Sequence, residues 1–295
     1  MRILYIGIVD FSHHCLSEVL KNDGNVIGVI TSNNINNNSD FSDLTPLAKD
    51  YNIPIHYTDN INNKDTVAWI RDKNPDIIFC FGWSQLIQKE VLSIPRMGII
   101  GSHPTLLPEN RGRHPLIWSI VLGLDKGGLT FFFMDEGADS GPILSQVSFL
   151  INQSDTAYSL YEKIKSIATE QIKEFLPKLI NNKYETIEQE SNKSLYWRKR
   201  NYKDGLIDFR MSKEAIYNLV RALTRPYPGA QVKFKQENIT VWEIELINDI
   251  IRQNMEPGRI ISTINKKPVV KCYDGLVFLK DYEPTISFKV GDYFQ

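Results

Sequence analysis

Paired cysteines are absent: Cys15, Cys80 and Cys272 are the only three, an odd number with no CxxC spacing. Neither a disulfide framework nor a zinc knuckle can be built from them, and buried free thiols are the reading that remains. An excess of charge is absent too. The 34 Lys and Arg stand against 35 Asp and Glu, a formal net charge of −1, so no overall field draws the chain to a phosphate backbone and no nucleic-acid partner is expected. No apolar run approaches the roughly 20 residues of a membrane-spanning helix. The opening MRILYIGIVDF also lacks the apolar length and cleavage pattern of a signal peptide. A cytoplasmic protein with no membrane partner is the expectation. Finally, only Gly7 occupies the first turn, where a dinucleotide-binding chain carries GxGxxG.

What is present reads as an α/β protein with two domains, since 295 residues are many for one core. Arg2 to Val9 is a strand, Ser12 to Lys21 a helix and Asn25 to Thr31 a second strand, a βαβ beginning that predicts a Rossmann-like, mostly parallel sheet with helices on both faces. Residues 33 to 43, with five asparagines, read as a mobile loop. Asp76 to Phe81 is a central strand that delivers the loop Gly82-Trp83-Ser84-Gln85, where Trp83 is either a wall for a flat heterocycle or core. Ser12, His13 and His14 stand at the start of the first helix, where the crevice rule for open sheets puts a ligand phosphate. Adjacent histidines cannot face one metal from a helix, and no metal site is predicted.

The densest chemistry lies in residues 97 to 143. Two short buried strands flank it, and Pro104, Pro108, Gly112 and Pro115 break the chain between His103 and His114 into loop. His103 is fixed by Pro104 in a short rigid loop, and an imidazole there can take a proton from an attacking amine or donate a hydrogen bond to a developing oxyanion. A helix follows Pro115, then a strand and the acidic loop that holds Asp139. Loops leaving the carboxyl ends of sheet strands converge, so His103 and Asp139 are expected to meet.

Farther on, Asp155 to Leu179 has helical spacing, and residues 181 to 194 are polar and irregular, which sets the expected boundary: a catalytic domain over 1–190 and a smaller, mainly β, barrel-like domain over 191–295. That second part opens with a helix, Lys213 to Leu223, and continues as alternating strands broken at Gly258, Lys266-Lys267-Pro268 and Asp274-Gly275.

HPTLLPENRG at 103–112 and MDEGADSG at 134–141 resemble, in order and spacing, the two signature stretches of the formyltransferases that use 10-formyltetrahydrofolate. That family includes methionyl-tRNA formyltransferase and the sugar-nucleotide N-formyltransferases, and the resemblance covers nearly the whole chain. It implies that His103 and Asp139 are catalytic, that 10-formyltetrahydrofolate is the co-substrate, and that its pocket is made by Trp83, Gln85, Leu86, Ile87, Phe133, Asp135 and Gly137. Pterin recognition in such sites rests on main-chain hydrogen bonds and apolar walls more than on side-chain identity.

One position departs from the family. Its Asn two residues before the His is here Gly101, and the loss of an oxyanion donor typically costs about 2.7 to 4 kcal/mol in activation free energy. Ser102, Gln85, Asn110 or a protonated His103 are the substitutes near in sequence. The alternative is a catalytically impaired binding homologue.

The resemblance implies transfer to the amine of a dTDP- or UDP-linked 4-amino-4,6-dideoxy sugar in bacterial surface-glycan synthesis, with a pseudaminic-acid type of pathway as the narrower expectation. Methionyl-tRNA formyltransferase is the competing reading. Arg113 and His114, in RGRHP, add donors suited to a pyrophosphate or sugar. Arg198, Arg200, Arg221 and Tyr227 are read either as nucleotide contacts or as a solvated face with aromatic packing. A homodimer is left open as the assembly.

Overall fold

Ile3, Leu4, Tyr5 and Ile6 are all buried in the computed structural model of the chain, which describes residues 1–33, 40–247 and 254–295. They form β1 (Ile3–Ile6), a strand covered on both faces, which is why its sequence is continuously apolar rather than alternating. Helix α1 (Asp10–Lys21) returns the chain to β2 (Val26–Thr31), parallel to β1. Residues 34 to 39 of the polar run expected as a loop lie outside the described residues.

The chain continues through α2 (Thr45–Asp50), β3 (Ile55–Tyr57), α3 (Lys64–Lys73), β4 (Ile77–Cys80) and α4 (Lys89–Leu92). Helix α3 shows how local sequence sets an element: the Asn63 side chain accepts from Thr66 N at its start, Val67 and Ile70 face inward, and Asn74 ends it at φ +45°. Next come β5 (Ile99–His103), β6 (Arg111–Gly112), α5 (Pro115–Val121), β7 (Lys126–Phe133), β8 (Ile143–Leu150), α6 (Ala157–Ile180) and β9 (Tyr196–Trp197).

The sheet order is β3-β2-β1-β4-β5-β7-β8. Strands β1 to β5 pair in parallel, and β7 runs antiparallel to β5. The order reverses direction between β1 and β4, the topological position at which such sheets open a crevice. On one face Phe79, Phe81, Phe131 and Phe175 pack with ring centroids 5.0 to 6.3 Å apart. On the other, Ile78 and Cys80 join Val67, Ile70, Ile87 and Val91. The alternation within Ile77–Cys80 thus feeds two cores.

Two compact units result: Met1–Pro115, Lys126–Phe149 and Glu162–Trp197 form the first, and Leu116–Asp125, Leu150–Tyr161 and Arg198–Gln295 the second. The second contains α7 (Lys213–Leu223), whose Ile216, Leu219, Val220 and Leu223 are buried and whose first turn is capped by Ser212. Its five-stranded sheet has the order β10 (Ala230–Phe234), β11 (Glu237–Ile247), β14 (Leu276–Glu283), β13 (Lys267–Lys271), β12 (Ile260–Ile264), antiparallel throughout. Among the described residues no helix is long and apolar enough to cross a membrane.

At the reversal point the structure corrects one expectation. Ser12 is fully buried; its Oγ donates to Phe81 O at 2.6 Å and accepts from Ile8 N and Val9 N, each at 3.2 Å. A hydroxyl so committed binds no substrate: it stitches the ends of β1 and β4 together. Gly82, at φ +71°, is part of the same knot, since a Cβ there would lie 2.6 Å from the Ser12 hydroxyl. Ser12→Ala leaves a buried carbonyl and two amides unpaired, and about 2–3 kcal/mol of stability is expected to be lost. Urea unfolding checks this; an unchanged midpoint would count against the stitch.

Candidate active site

His103 is the last residue of β5 rather than a loop residue, as the sequence reading had it. A strand end is a firmer mount, with main-chain pairing to Thr130 of β7 on one side. The turn that follows is braced from within: Thr105 N donates to His103 O, Thr130 Oγ1 to Thr105 O, and Gln146 Nε2 to Leu107 O, at 2.7 to 2.9 Å. The imidazole is 5% exposed.

Its Nε2 lies 2.9 Å from Asn110 O. A carbonyl only accepts, so Nε2 carries a proton, and in the neutral ring the lone pair is therefore on Nδ1. Nδ1 faces Asp139 Oδ2 at 3.7 Å, beyond hydrogen-bond length and within reach of an ion pair. The same carboxylate oxygen accepts from Gly112 N at 2.9 Å. His103 and Asp139 are therefore brought together as expected, the first from the end of β5 and the second from the loop between β7 and β8. The Asp139 loop is closed by Asp135, whose Oδ1 accepts from Gly137 N at 3.0 Å and Ser140 Oγ at 2.7 Å. Asp135 and Gly137 thus shape the loop, and both are exposed.

The loop after β4 is held from two sides. Gln85 Oε1 accepts from Ile61 N at 3.0 Å and its Nε2 donates to Asp59 O at 2.8 Å, while Arg113 Nη1 donates to Ser84 O at 2.7 Å. Ile87 is 1% exposed and Leu86 56%, so one is anchored in the core and its neighbour is open. Trp83 packs on the core cluster, and its buried Nε1 has no hydrogen-bond partner among the described residues. Phe133 is half-buried at the end of β7. An open apolar edge beside an unanswered indole N–H fits a flat, hydrogen-bonding heterocycle.

Gly101 lies two residues before His103 on the same face of β5. A Cβ there would meet Phe132 Cζ and Met134 Cγ, each at 3.1 Å, and Met134 Sδ at 3.2 Å, so Phe132 and Met134 close in where a side chain would begin. Of the three neutral substitutes, Ser102 points to the opposite face of the strand and the Gln85 amide is engaged as above. Asn110 is the one tied directly to the imidazole, through its carbonyl.

The remaining sequence candidates divide by unit. His13 and His114 are half-buried, His114 at φ +54°; His14 Nε2 contacts Thr169 Oγ1 at 2.8 Å, and burial pulls its pKa down. In the second unit, Arg198 and Arg200 flank the Trp118 ring at 5.2 and 5.5 Å. Arg198 pairs with Asp204 and holds that carboxyl down at about 2, whereas the buried Arg200 Nε has no partner among the described residues. Tyr227 is half-buried. Arg221 is corrected to a structural role: it is buried, and its Nη1 donates to Asp155 O at 2.6 Å and Asn152 O at 3.2 Å. Sequence reasoning passed over Arg111, Trp118 and Gln189; Arg111 stands inside the quoted signature, but nothing in its spacing shows that it is buried.

Residues 1–176 match the family described as Formyl transferase, and residues 199–287 match Formyl transferase, C-terminal domain. The bifunctional polymyxin resistance protein ArnA of Wigglesworthia glossinidia brevipalpis is 34% identical over 264 residues, 89% of this chain; the chain spans 40% of that protein. Methionyl-tRNA formyltransferase of Clostridioides difficile (strain 630) is 28% identical over 301 residues, 100% of this chain and 96% of that protein. Among solved structures, WlaRD, a sugar 3N-formyl transferase determined with dTDP and 5-N-formyl-THF, is similar at TM-score 0.72 and 21% identity, over 97% of this chain and 99% of that one. The N-formyltransferase of Helicobacter canadensis, in complex with folinic acid and dTDP-3-aminofucose, gives TM-score 0.68 and 22% identity over 94% and 98%.

Proposed function

The chain belongs to the formyl transferase family, and from that premise we propose that it moves a formyl group from 10-formyltetrahydrofolate to the amine of a nucleotide-linked amino sugar. The observation that carries the proposal is the His103–Asp139 pair, in which the last residue of β5 meets a carboxylate from the loop between β7 and β8, with Nδ1 turned to that carboxylate at 3.7 Å.

The folate supplies an activated one-carbon acyl group, which the loop around Trp83, Leu86 and Ile87 and the strand end at Phe133 hold through main-chain groups and apolar walls. As the amine adds to the formyl carbon, His103 Nδ1 takes its proton, and the same proton then goes to the departing folate nitrogen. Asp139 stabilises the imidazolium formed in between. The oxyanion donor that Gly101 cannot be is taken from Asn110, whose side-chain amide can donate and whose main-chain carbonyl holds the imidazole, or from His103 itself once protonated. Burial of His103 keeps water from the acyl group. No metal and no covalent enzyme intermediate enters the scheme.

A nucleotide sugar is favoured by the balanced charge, 34 basic against 35 acidic residues, because a tRNA partner calls for a basic surface. It is favoured also by Arg113, which uses one of its five N–H donors on Ser84 O and keeps others for a phosphate oxygen. Methionyl-tRNA is the second reading, supported by the full-length likeness to the Clostridioides difficile enzyme. The test is to incubate the protein and 10-formyltetrahydrofolate with dTDP- and UDP-linked 3-amino and 4-amino sugars beside methionyl-tRNA, and to weigh the products. One formyl in place of one hydrogen on a sugar nucleotide is expected. Formylation of methionyl-tRNA alone would move the chain to the second reading, and none at all would mark a binding homologue impaired at Gly101.

A further inference from the structure

Residues 181 to 194 carry no periodic pattern, yet one of their side chains joins the two signature loops. Gln189 Nε2 donates to Asp139 O at 3.0 Å and to Gly141 O at 2.7 Å, and its Oε1 accepts from Arg111 Nε at 3.2 Å and Nη2 at 2.7 Å. A carboxamide offers two N–H groups and two lone pairs on its oxygen, and all four are in use. Turned over, the amide would set oxygen against two carbonyls and NH₂ against a guanidinium, so a single orientation is possible. Arg111 is itself fixed: it is 4% exposed, and its Nη1 donates to the Tyr196 hydroxyl at 2.9 Å.

Asp139 needs such a brace. Its φ of +57° is in the left-handed region, which a residue other than glycine keeps only when its surroundings hold it there. The direction of its carboxylate toward His103 depends on that main-chain conformation.

We infer that Gln189 is a positioning residue for formyl transfer: it ties the Asp139 main chain to Arg111, so that the carboxylate stays beside His103 Nδ1. The inference rests on the proposed reaction, in which Asp139 supports the imidazole. Gln189→Glu isolates the effect, because a carboxylate still accepts from Arg111 but has no N–H for Asp139 and Gly141. Gln189→Leu removes both sides of the brace.

The experiment is a double-mutant cycle of Gln189→Glu with Asp139→Asn. In the wild-type background kcat is expected to fall about 10- to 100-fold, with the KM of both substrates within about 3-fold. In the Asp139→Asn background the further fall is expected to be under about 2-fold, since a residue acting through Asp139 has nothing left to position. Equal falls in both backgrounds, or none in the first, would overturn the inference. A second readout needs no substrate: the ¹⁵N resonances of the His103 ring are expected to move in Gln189→Glu in the same direction as in Asp139→Asn. Ring resonances that stay at their wild-type positions in Gln189→Glu would refute the brace, whereas a folded wild-type protein that formylates no amine would refute only the functional reading.

Discussion

His103→Ala and Asp139→Asn are each expected to lower kcat by orders of magnitude, about 10²- to 10⁴-fold for loss of the imidazole as acid and base, in proteins that remain folded. The two substitutions test different parts of the pair. His103→Ala removes the group that carries the proton and leaves Asn110 O without its donor, so a modest loss of stability accompanies the loss of rate. Asp139→Asn is nearly isosteric, and its amide oxygen still accepts from Gly112 N, the bond that now holds the carboxylate at 2.9 Å. What it removes is the negative charge opposite Nδ1, so its effect belongs in kcat and not in folding. Steady-state kinetics with circular dichroism separate the cases. Wild-type kcat in either variant would remove that residue from the reaction.

Gly112→Ala is expected to damage both fold and rate. Gly112 is held at φ +100°, and a Cβ built there would lie 2.3 Å from Trp197 O and 3.2 Å from Trp197 N. Both contacts are main chain of β9, which pairs with β6 and is held by Arg111 N to Leu195 O at 2.8 Å and Arg113 N to Trp197 O at 3.0 Å. A methyl group must therefore part the two strands or turn residue 112 out of its conformation. Either movement takes the Gly112 N–H away from Asp139. A loss of about 2–4 kcal/mol of stability, with a kcat on the folded fraction reduced as far as in Asp139→Asn, is the expected result of urea titration and kinetics. Unchanged values of both would show that the β6–β9 pair yields freely and that Asp139 does not depend on it.

The sequence showed most plainly those elements whose signals are local. Helix α7 was legible because Ile216, Leu219, Val220 and Leu223 repeat at helical spacing and are buried together. Strand β4 was legible because both of its faces are buried. Helix α4, one turn long, is too short to show a period, and β8 has a single buried residue, Ile143, so neither announces itself. At the site, His103 and Asp139 stood out through two dense loop motifs. Ser12 was misjudged because the crevice rule locates a helix start without saying which way its first hydroxyls point. Gln189 was passed over because its partners are 48, 50 and 78 residues away in sequence, and no pattern inside an irregular segment records contacts so distant.

The most direct measurement follows the carbon itself. With 10-formyltetrahydrofolate labelled by ¹³C at the formyl group and the accepting amino sugar, the label is expected to appear as a formamide carbon bonded to the sugar nitrogen, in amounts equal to the tetrahydrofolate released. Label recovered only as free formate, with the amine unchanged, would contradict transfer between the two substrates at His103 and Asp139.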